Sequence, residues 1–296
     1  MAAANVIGKP EQQAMGNGGG NRLAELLDDK QGLLVKQTMR GCLQECMGCE
    51  AKSEFKIGPM EHSWIFDEYK ASEMAMNQPE FLYALEESSC LCRLCWRDGR
   101  PFNMEVSEGS EKGGPMLLQF IKPCSFPLNM SIPTKDGSID CPCCCFLPKL
   151  STSSADGTPL ENESAYICDI NIAVPKLQYS EKGQPIYTLK PETCCGGCCI
   201  ACNPCTGKGL LYIPFYFHDP KTGSVIGGSS GDKPYEGKEI PSIRKLWAGL
   251  KKECCSTADT FAVMFPQGID ARRKAGLLGL TFLLDFTVFE RQQEKN

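Results

Sequence analysis

The stretch that decides the fold runs from residue 270 to residue 289 and reads Asp270-Ala-Arg-Arg-Lys-Ala-Gly-Leu-Leu-Gly-Leu-Thr-Phe-Leu-Leu-Asp-Phe-Thr-Val-Phe289. Asp270 is a suitable N-cap, and the pattern predicts a helix over residues 271–289. From Ala275 onward the apolar residues fall on every side of the helical wheel. A helix without a polar face has to be buried all round, so its surroundings decide what kind of protein this is.

Length and charge favour burial inside the protein over burial in a bilayer. The apolar part, Ala275–Phe289, is roughly 22 Å long as a helix, whereas a hydrocarbon core is about 30 Å thick. Asp285 would cost about 2.5–3.5 kcal/mol in that core. A short span through a thinned bilayer is the alternative. In either case we expect the helix to bury the following side chains: Ala275, Leu278, Phe282, Asp285, Phe286 and Phe289. Gly276 and Gly279, one turn apart, are expected to let strands approach closely.

The chain before this helix has the pattern of a mainly β protein. It contains 29 Gly and 20 Pro and has only short apolar runs, which favours many strands joined by turns. The clearest candidate strands lie at residues 81–85, 102–106, 116–121, 186–189 and 210–217, and weaker ones lie at 226–228 and 261–265. Ordered structure is expected to start near residues 33–37. Residues 151–164 and 228–239 are rich in Ser, Gly, Asp and Pro and are expected to form surface loops. Residues 1–32 are expected to be a flexible leader with a short helix near Arg22–Asp29.

Charge and motif content exclude several classes of function. The net charge of −5 argues against nucleic acid as the main partner, because phosphate binding needs a basic surface. The chain has two histidines and lacks hydrolase, zinc-protease and P-loop motifs, so we expect a protein that is not an enzyme. Residues 1–36 lack an apolar core of signal-peptide length, and we therefore expect the protein to begin in the cytosol.

The outstanding compositional feature is the content of 20 cysteines, for which acylation, metal binding and plain packing are all open. Adjacent thiols near a bilayer suit attachment of several acyl chains, as at Cys141, Cys143, Cys144 and Cys145. Two CxxC pairs with the spacing of a zinc site follow downstream, formed by Cys195, Cys198, Cys202 and Cys205. A second possible zinc set combines Cys46 and Cys49 with Cys92 and Cys95.

The C-terminal part resembles the phospholipid scramblases. The resemblance is carried by Trp247-Ala-Gly249, by Asp259-Thr-Phe261-Ala-Val-Met-Phe265-Pro266 and by Leu283-Leu-Asp-Phe-Thr-Val-Phe-Glu290. It implies a tubby-like fold, in which a twelve-stranded β-barrel encloses the C-terminal helix. The barrel domain would span residues 33–290, with a short polar tail at 291–296.

The resemblance also implies a function and a location. The expected activity is ATP-independent, bidirectional movement of phospholipids across a membrane, with calcium stimulation. The expected place is the cytoplasmic face of the plasma membrane, with palmitoylation of Cys141–Cys145. A basic run from Arg244 to Lys252 implies a nuclear fraction as well, or contact with anionic headgroups. The rival interpretation is a lipid- or protein-binding signalling module that moves nothing. The sequence indicates no oligomeric state.

The calcium-loop segment departs from the family pattern. In the family, the first, third and twelfth positions are rich in Asp, because a hard cation prefers carboxylate oxygens. This chain has Thr257, Asp259 and Gly268 there, with the backbone carbonyls of Phe261 and Val263 as further candidate ligands. One carboxylate predicts millimolar affinity for calcium or none, and a solvated turn is the alternative.

Overall fold

The computed structural model describes residues 19–38, 52–61, 79–89, 99–125, 130–134, 137–141, 147–167, 176–191, 212–227, 240–246 and 259–289. The helical elements are α1 (Gly19–Leu27), α2 (Ala271–Leu284) and a π-helical turn (Asp285–Phe289) that continues α2. The first seven strands are β1 (Gly32–Gln37), β2 (Glu54–Met60), β3 (Leu82–Glu87), β4 (Phe102–Glu108), β5 (Met116–Lys122), β6 (Met130–Thr134) and β7 (Gly137–Cys141). The others are β8 (Lys149–Ser154), β9 (Pro159–Ile167), β10 (Lys176–Glu181), β11 (Gln184–Pro191), β12 (Tyr212–His218), β13 (Ser242–Leu246) and β14 (Thr260–Met264).

Twelve of these strands form one closed antiparallel barrel, as the resemblance to the phospholipid scramblases implies. The order around the barrel is β1-β14-β13-β12-β11-β10-β9-β8-β5-β4-β3-β2, and β2 pairs with β1 to close it. Strands β6 and β7 form a separate hairpin. Alternation of side chains is clear in β4, where Phe102, Met104 and Val106 are buried while Asn103 and Glu105 are exposed. Because successive residues of a strand face opposite sides, the apolar set lines the barrel interior.

Helix α2 occupies that interior. The ring of Phe282 lies 4.9 Å from that of Phe55 on β2 and 5.5 Å from that of Phe120 on β5, measured between centroids. The ring of Phe289, at the other end of the π-helical turn, contacts aromatic rings of β12 and β14. The six side chains expected to be buried on this helix are at most 4 % exposed. Among the residues that the structure describes, no helix is both long enough and apolar enough to cross a bilayer.

The two glycines of α2 make room for aromatic side chains rather than for strand backbone. A Cβ atom at Gly276 would overlap the ring of Tyr179 from β10. At Gly279 it would lie 2.7 Å from Cε1 of Phe120, closer than carbon atoms normally approach. The interior is therefore filled by large rings from the strands that fit into gaps on the helix, which is how a closely packed core avoids voids.

The start of α2 is fixed by reciprocal contacts with α1. Asp270 caps α2 through a hydrogen bond that its carboxylate accepts from the N–H of Arg273 at 2.9 Å. The Lys274 ammonium donates to the carbonyl oxygens of Leu27 and Asp28, at 2.9 and 2.7 Å, and so caps the end of α1, where the Leu27 carbonyl also accepts from the N–H of Lys30 at 3.1 Å. Burial lowers the pKa of Lys274. In return, the Asp28 carboxylate accepts from the N–H of Ala271 at 2.8 Å.

The structure differs from the sequence prediction in two segments. Helix α1 lies within the predicted leader, yet its residues Leu23 and Leu27 are 2 % and 0 % exposed and belong to the core. The predicted loop at 151–164 contains most of the β8–β9 hairpin, in which Thr152, Asn162 and Ser164 are buried alongside Leu160, so the sequence shows no continuous apolar alternation. The predicted loop at 228–239 lies outside the described residues.

Candidate functional site

The barrel interior becomes polar at the end where the π-helical turn lies. Glu86, from the end of β3, and Arg100, just before β4, form a salt bridge while being 0 % and 1 % exposed. Arg100 donates through Nε and Nη2 to the two carboxylate oxygens, at 2.9 and 3.2 Å. Its guanidinium also lies 5.0 Å from the ring centroid of Phe286. This ion pair therefore rests directly on the last turn of the buried helix.

The surroundings of Glu86 compensate for its burial. Burial alone raises the pKa of Glu86, but the hydrogen bonds and charge of Arg100 outweigh it and hold the pKa below its usual range. The backbone N–H of Ser53 and the hydroxyl of Ser88 also donate to this carboxylate. A buried carboxylate with this many donors is ionised at neutral pH, so it serves as a fixed negative charge.

Lys122, at the end of β5, adds a second buried cation. Its side chain is 1 % exposed, and its ammonium donates to the carbonyl oxygen of Arg100 at 2.8 Å and to the hydroxyl of Ser125 at 3.1 Å. The ammonium lies 5.7 Å from the ring centroid of Phe102. The carbonyl of Arg100 is thus held by Lys122 while its guanidinium is held by Glu86, which fixes the chain as it enters β4.

On the other side of the same end, Lys245 of β13 pairs with Asp259. The two charged groups are 2.8 Å apart, and the Asp259 side chain is 5 % exposed. The Lys245 ammonium lies 4.3 Å from the ring centroid of Phe289, and the side chain of Gln37 accepts from the N–H of Asp259 at 3.0 Å. Arg244 and Lys245, at the start of the basic run, therefore lie in strand β13 and make buried contacts, whereas Lys251 and Lys252 are outside the described residues.

The residues expected to form a calcium loop do not fit one. Asp259 already neutralises Lys245, and Phe261 and Val263 lie in β14, which is paired on both sides by β1 and β13. Their carbonyl groups belong to these two ladders. Gly268, with a φ of 75°, lies in the turn beyond the far end of β14. The five residues of β14 lie between Asp259 and Gly268 and span about 16 Å of extended chain. The oxygens around one calcium ion, in contrast, all lie about 2.3–2.6 Å from it. Thr257 is outside the described residues.

The predicted cysteine sites fall almost entirely outside the described residues. Of the acylation set, only the backbone of Cys141, the last residue of β7, is described, and Cys143, Cys144 and Cys145 are not. The whole predicted zinc set, Cys195–Cys205, is outside as well, as are Cys46, Cys49, Cys92 and Cys95. Cys124, just after β5, is described as a free and exposed thiol. Within the described part of the chain, no three metal-binding side chains come together.

The buried polar end is the feature that sequence reasoning missed. Glu86, Arg100 and Lys122 are separated by 14 and 22 residues along the chain and stand at the ends of three different strands. In the sequence each resembles an ordinary charge at a strand boundary, where solvent is the usual neighbour. Only the closure of the barrel brings them together over α2. Asp285 of the π-helical turn is also buried at this end, and it too has an interaction partner.

Comparison with known proteins gives one family and a set of distant relatives. A family model described as Scramblase matches residues 233–291. Phospholipid scramblase 1 of Mus musculus is 25 % identical over 215 residues, which are 71 % of this chain and 51 % of that protein. Phospholipid scramblase 2 of Bos taurus is 25 % identical over 213 residues, covering 70 % of this chain and 57 % of its own.

A shorter match has higher identity. Phospholipid scramblase family member 5 of Homo sapiens is 35 % identical over 72 residues, which are 22 % of this chain and 27 % of that protein. The chain spans about half the length of the full-size curated relatives it matches. No solved structure matches significantly. The family match covers β13, β14 and α2, which are the elements that bear the Lys245–Asp259 pair and the buried helix.

Proposed function

Because the chain is a relative of the phospholipid scramblases, we propose that it moves phospholipids between the two leaflets of a membrane, in both directions and without ATP. The single observation that carries this proposal is the family match over residues 233–291. A protein of this kind is a translocator, and it needs neither a nucleotide site nor a catalytic nucleophile. Its partners are phospholipids and the membrane surface.

The enclosed helix restricts how translocation can work. The buried side chains of α2 contact strands around the barrel, so a lipid cannot use this helix as its path without opening the barrel. Opening would return the aromatic side chains that pack on α2 to water, which opposes it because burial of apolar surface is what stabilises the core. We therefore place lipid movement outside the closed barrel, at its contact with the bilayer, where a bound protein can thin or disturb the lipid packing.

Attachment to the membrane then has to come from elsewhere in the chain. We propose that acyl chains on Cys141, Cys143, Cys144 and Cys145 hold the protein at the cytoplasmic face of the plasma membrane, because two or more chains anchor firmly where one binds only marginally. Hydroxylamine, which cleaves thioesters, is then expected to release the protein from membranes. Retention at the membrane after substitution of all four cysteines would contradict this anchor.

The second candidate function is a binding module that docks on lipid or protein and moves nothing. The observation that favours it is the same enclosure of α2, whose buried side chains contact strands around the barrel and are not exposed to lipid while the barrel is closed. Both candidates predict binding to vesicles. They differ in whether lipids change leaflet after the protein has bound.

Reconstitution separates the two candidates. The purified full chain is added to vesicles that carry a fluorescent phospholipid in both leaflets, and an impermeant reductant then bleaches the outer leaflet. Translocation predicts that the inner-leaflet fluorescence is also lost, without added ATP. Fluorescence that stays at about one half of its starting value, although the protein is bound, would leave only the binding module.

The same assay is run with and without calcium. Calcium stimulation is the family expectation, but Asp259, Phe261 and Val263 do not support it as a ligand set. We propose that any stimulation is retained in Asp259→Asn protein that is still folded. A rate that rises with calcium in the original chain and not in this variant would assign the ion to Asp259 after all.

A further inference from the structure

Helix α1 is attached to one end of the barrel without being part of its sheet. Of the side chains described in this helix, Leu23 and Leu27 alone are buried, and the helix packs against α2 and β5. The barrel itself begins at Gln31, whose carbonyl accepts from the N–H of Phe265 at 3.1 Å. A short helix with two buried side chains, joined to the first strand by residues 28–30, is the kind of element that opens locally while the rest of a protein stays folded.

The docked helix covers the ammonium group of Lys274. This side chain is 5 % exposed, and its ammonium lies 5.8 Å from the ring centroid of Phe265 in addition to its two hydrogen bonds to the end of α1. Asp28 and Asp29 face the ammonium from the chain just after α1, and Asp270 faces it from the cap of α2. Release of α1 therefore removes two carbonyl acceptors and two carboxylates from Lys274 and leaves a carboxylate that already accepts from the backbone of α2.

The two basic residues before Lys274 do not depend on α1. Arg272 donates to the carbonyl oxygen of Leu160, and Arg273 donates to both carboxylate oxygens of Glu181 at 2.7 Å. Both partners belong to barrel strands, β9 and β10. Release of α1 therefore leaves these two contacts in place and changes the surroundings of Lys274 alone among the three consecutive basic residues at the start of α2.

One exposed ion pair adds to the docking of α1. Arg22 donates through Nε to the carboxylate of Glu108 at 2.9 Å and also pairs with Glu25, one turn away in the same helix. The side chains of Arg22 and Glu108 are 46 % and 27 % exposed. Because exposed ion pairs stabilise proteins only a little, the helix is held mainly by its two leucines and by Lys274. Arg22 is therefore a position at which docking can be weakened without a change in the core.

We infer that α1 is an autoinhibitory lid, which hides Lys274 when docked and, when released, lets its ammonium bind the headgroup phosphate of an anionic phospholipid at a membrane surface. This inference rests on the proposed membrane function but not on translocation. A lysine binds phosphate as a compact point charge, and each cation close to an anionic membrane adds to binding. The leucines of the released helix lie on the same surface, which offsets part of the cost of exposing them. The contact is at headgroup depth, so α2 stays inside the barrel.

Hydrogen exchange of the full chain tests whether α1 opens on its own. Arg22→Glu replaces the ion pair by repulsion from Glu108 and Glu25 and touches no buried side chain. We expect exchange in residues 19–27 to become roughly tenfold faster while the barrel strands are unchanged. Lys112→Glu is the matched control, because it makes the same charge change in the turn after β4, at a side chain that is 73 % exposed. An equal acceleration in α1 and in the strands would overturn the lid.

Binding to vesicles tests what the lid hides. The variants are sedimented with vesicles of phosphatidylcholine and phosphatidylserine, and with vesicles of phosphatidylcholine alone as the reference. Charge alone predicts that Arg22→Glu and Lys112→Glu both bind the anionic vesicles more weakly than the original chain, because each lowers the net charge by two. The lid predicts that Arg22→Glu binds them roughly fivefold more tightly, because the competent open form is more populated. Binding no tighter than that of Lys112→Glu, although α1 exchanges faster, would overturn the inference.

Removal of the ammonium tests Lys274 itself. Lys274→Met in the Arg22→Glu background should abolish the gain in binding while α1 still exchanges rapidly. A gain that persists would assign binding to the leucines of α1 and overturn the headgroup site. Inorganic phosphate without vesicles is a separate arm, and faster exchange of α1 in its presence would assign Lys274 to a soluble anion, which also overturns it. The fluorescent-lipid assay is independent of these results. A chain that passes them without moving lipid keeps the lid and loses only translocation.

Discussion

Truncation of Phe282 to alanine tests whether α2 is the core of the barrel. The Phe282 side chain is 0 % exposed, and its ring packs between those of Phe55 and Phe120. Removing a buried phenylalanine ring costs about 3–5 kcal/mol, and the two aromatic contacts of Phe282 keep the expected change above the lower end of that range. We expect Phe282→Ala to lower the free energy of unfolding by about 4 kcal/mol. With a urea m-value of about 2–3 kcal/mol/M, the midpoint falls by roughly 1.3–2 M.

The measurement is urea unfolding of the purified protein, followed by circular dichroism and by tryptophan fluorescence. Ile121→Ala is the matched control, because Ile121 is 39 % exposed on the outer face of β5 and its truncation should cost about 1 kcal/mol or less. The reasoning is refuted if Phe282→Ala costs no more than this control. That result is expected if the helix leaves the barrel and inserts into the bilayer. Phe282→Ala would then weaken binding to vesicles instead of lowering the free energy of unfolding.

Three other substitutions test separate parts of the structure. At an ordinary helix site, replacing glycine with alanine stabilises a protein by about 1 kcal/mol. Gly279→Ala is instead expected to leave the free energy of unfolding unchanged or to lower it by up to about 2 kcal/mol, because the new methyl group meets the ring of Phe120. A rise in the thermal midpoint would contradict this packing. Glu86→Gln leaves Arg100 buried without its counter-charge and should cost about 3–5 kcal/mol at pH 7. The lowered pKa of Glu86 stabilises the fold above the unfolded value of about 4.3, and this contribution is lost as the pH falls through the folded value, so the original chain should lose stability below about pH 4. Acid titration of the variant should show a flatter curve, and an equally steep one would count against the pair. Lys274→Met removes the donor that caps α1 and should speed hydrogen exchange in residues 19–27 more than in the barrel strands. Equal changes in α1 and in the strands would show that α1 is not held by this contact.

Local patterns in the sequence predict the buried helix and a chain rich in strands, whereas the closed twelve-stranded barrel is implied by the family resemblance. An apolar surface on every side of α2 together with the Asp270 cap specifies a buried helix, and the alternation in β4 specifies a strand with one wet face. The β8–β9 hairpin could not be predicted in the same way. Strand β9 packs directly against α2, and the close approach is made with small and polar inward residues such as Asn162 and Ser164, which in a sequence resemble a loop.

In the candidate site, too, local patterns are visible in the sequence and contacts between distant strand ends are not. The apolar residues that enclose the helix are visible in the sequence, whereas the Glu86–Arg100 pair depends on how distant strand ends meet when the barrel closes. The calcium-loop expectation rests on a short local match, and it does not fit because the matched segment is an interior strand.

Photo-crosslinking from within the bilayer tests the central claim that α2 stays enclosed by the barrel when the protein is bound to lipid. The full chain is bound to vesicles that contain a phospholipid with a photoreactive group in its acyl chain, and the crosslinked peptides are identified by mass spectrometry. The account predicts that crosslinks form outside residues 271–289 and that none form within them. Crosslinks to Phe282 or Phe286 would place the helix in the membrane and contradict it.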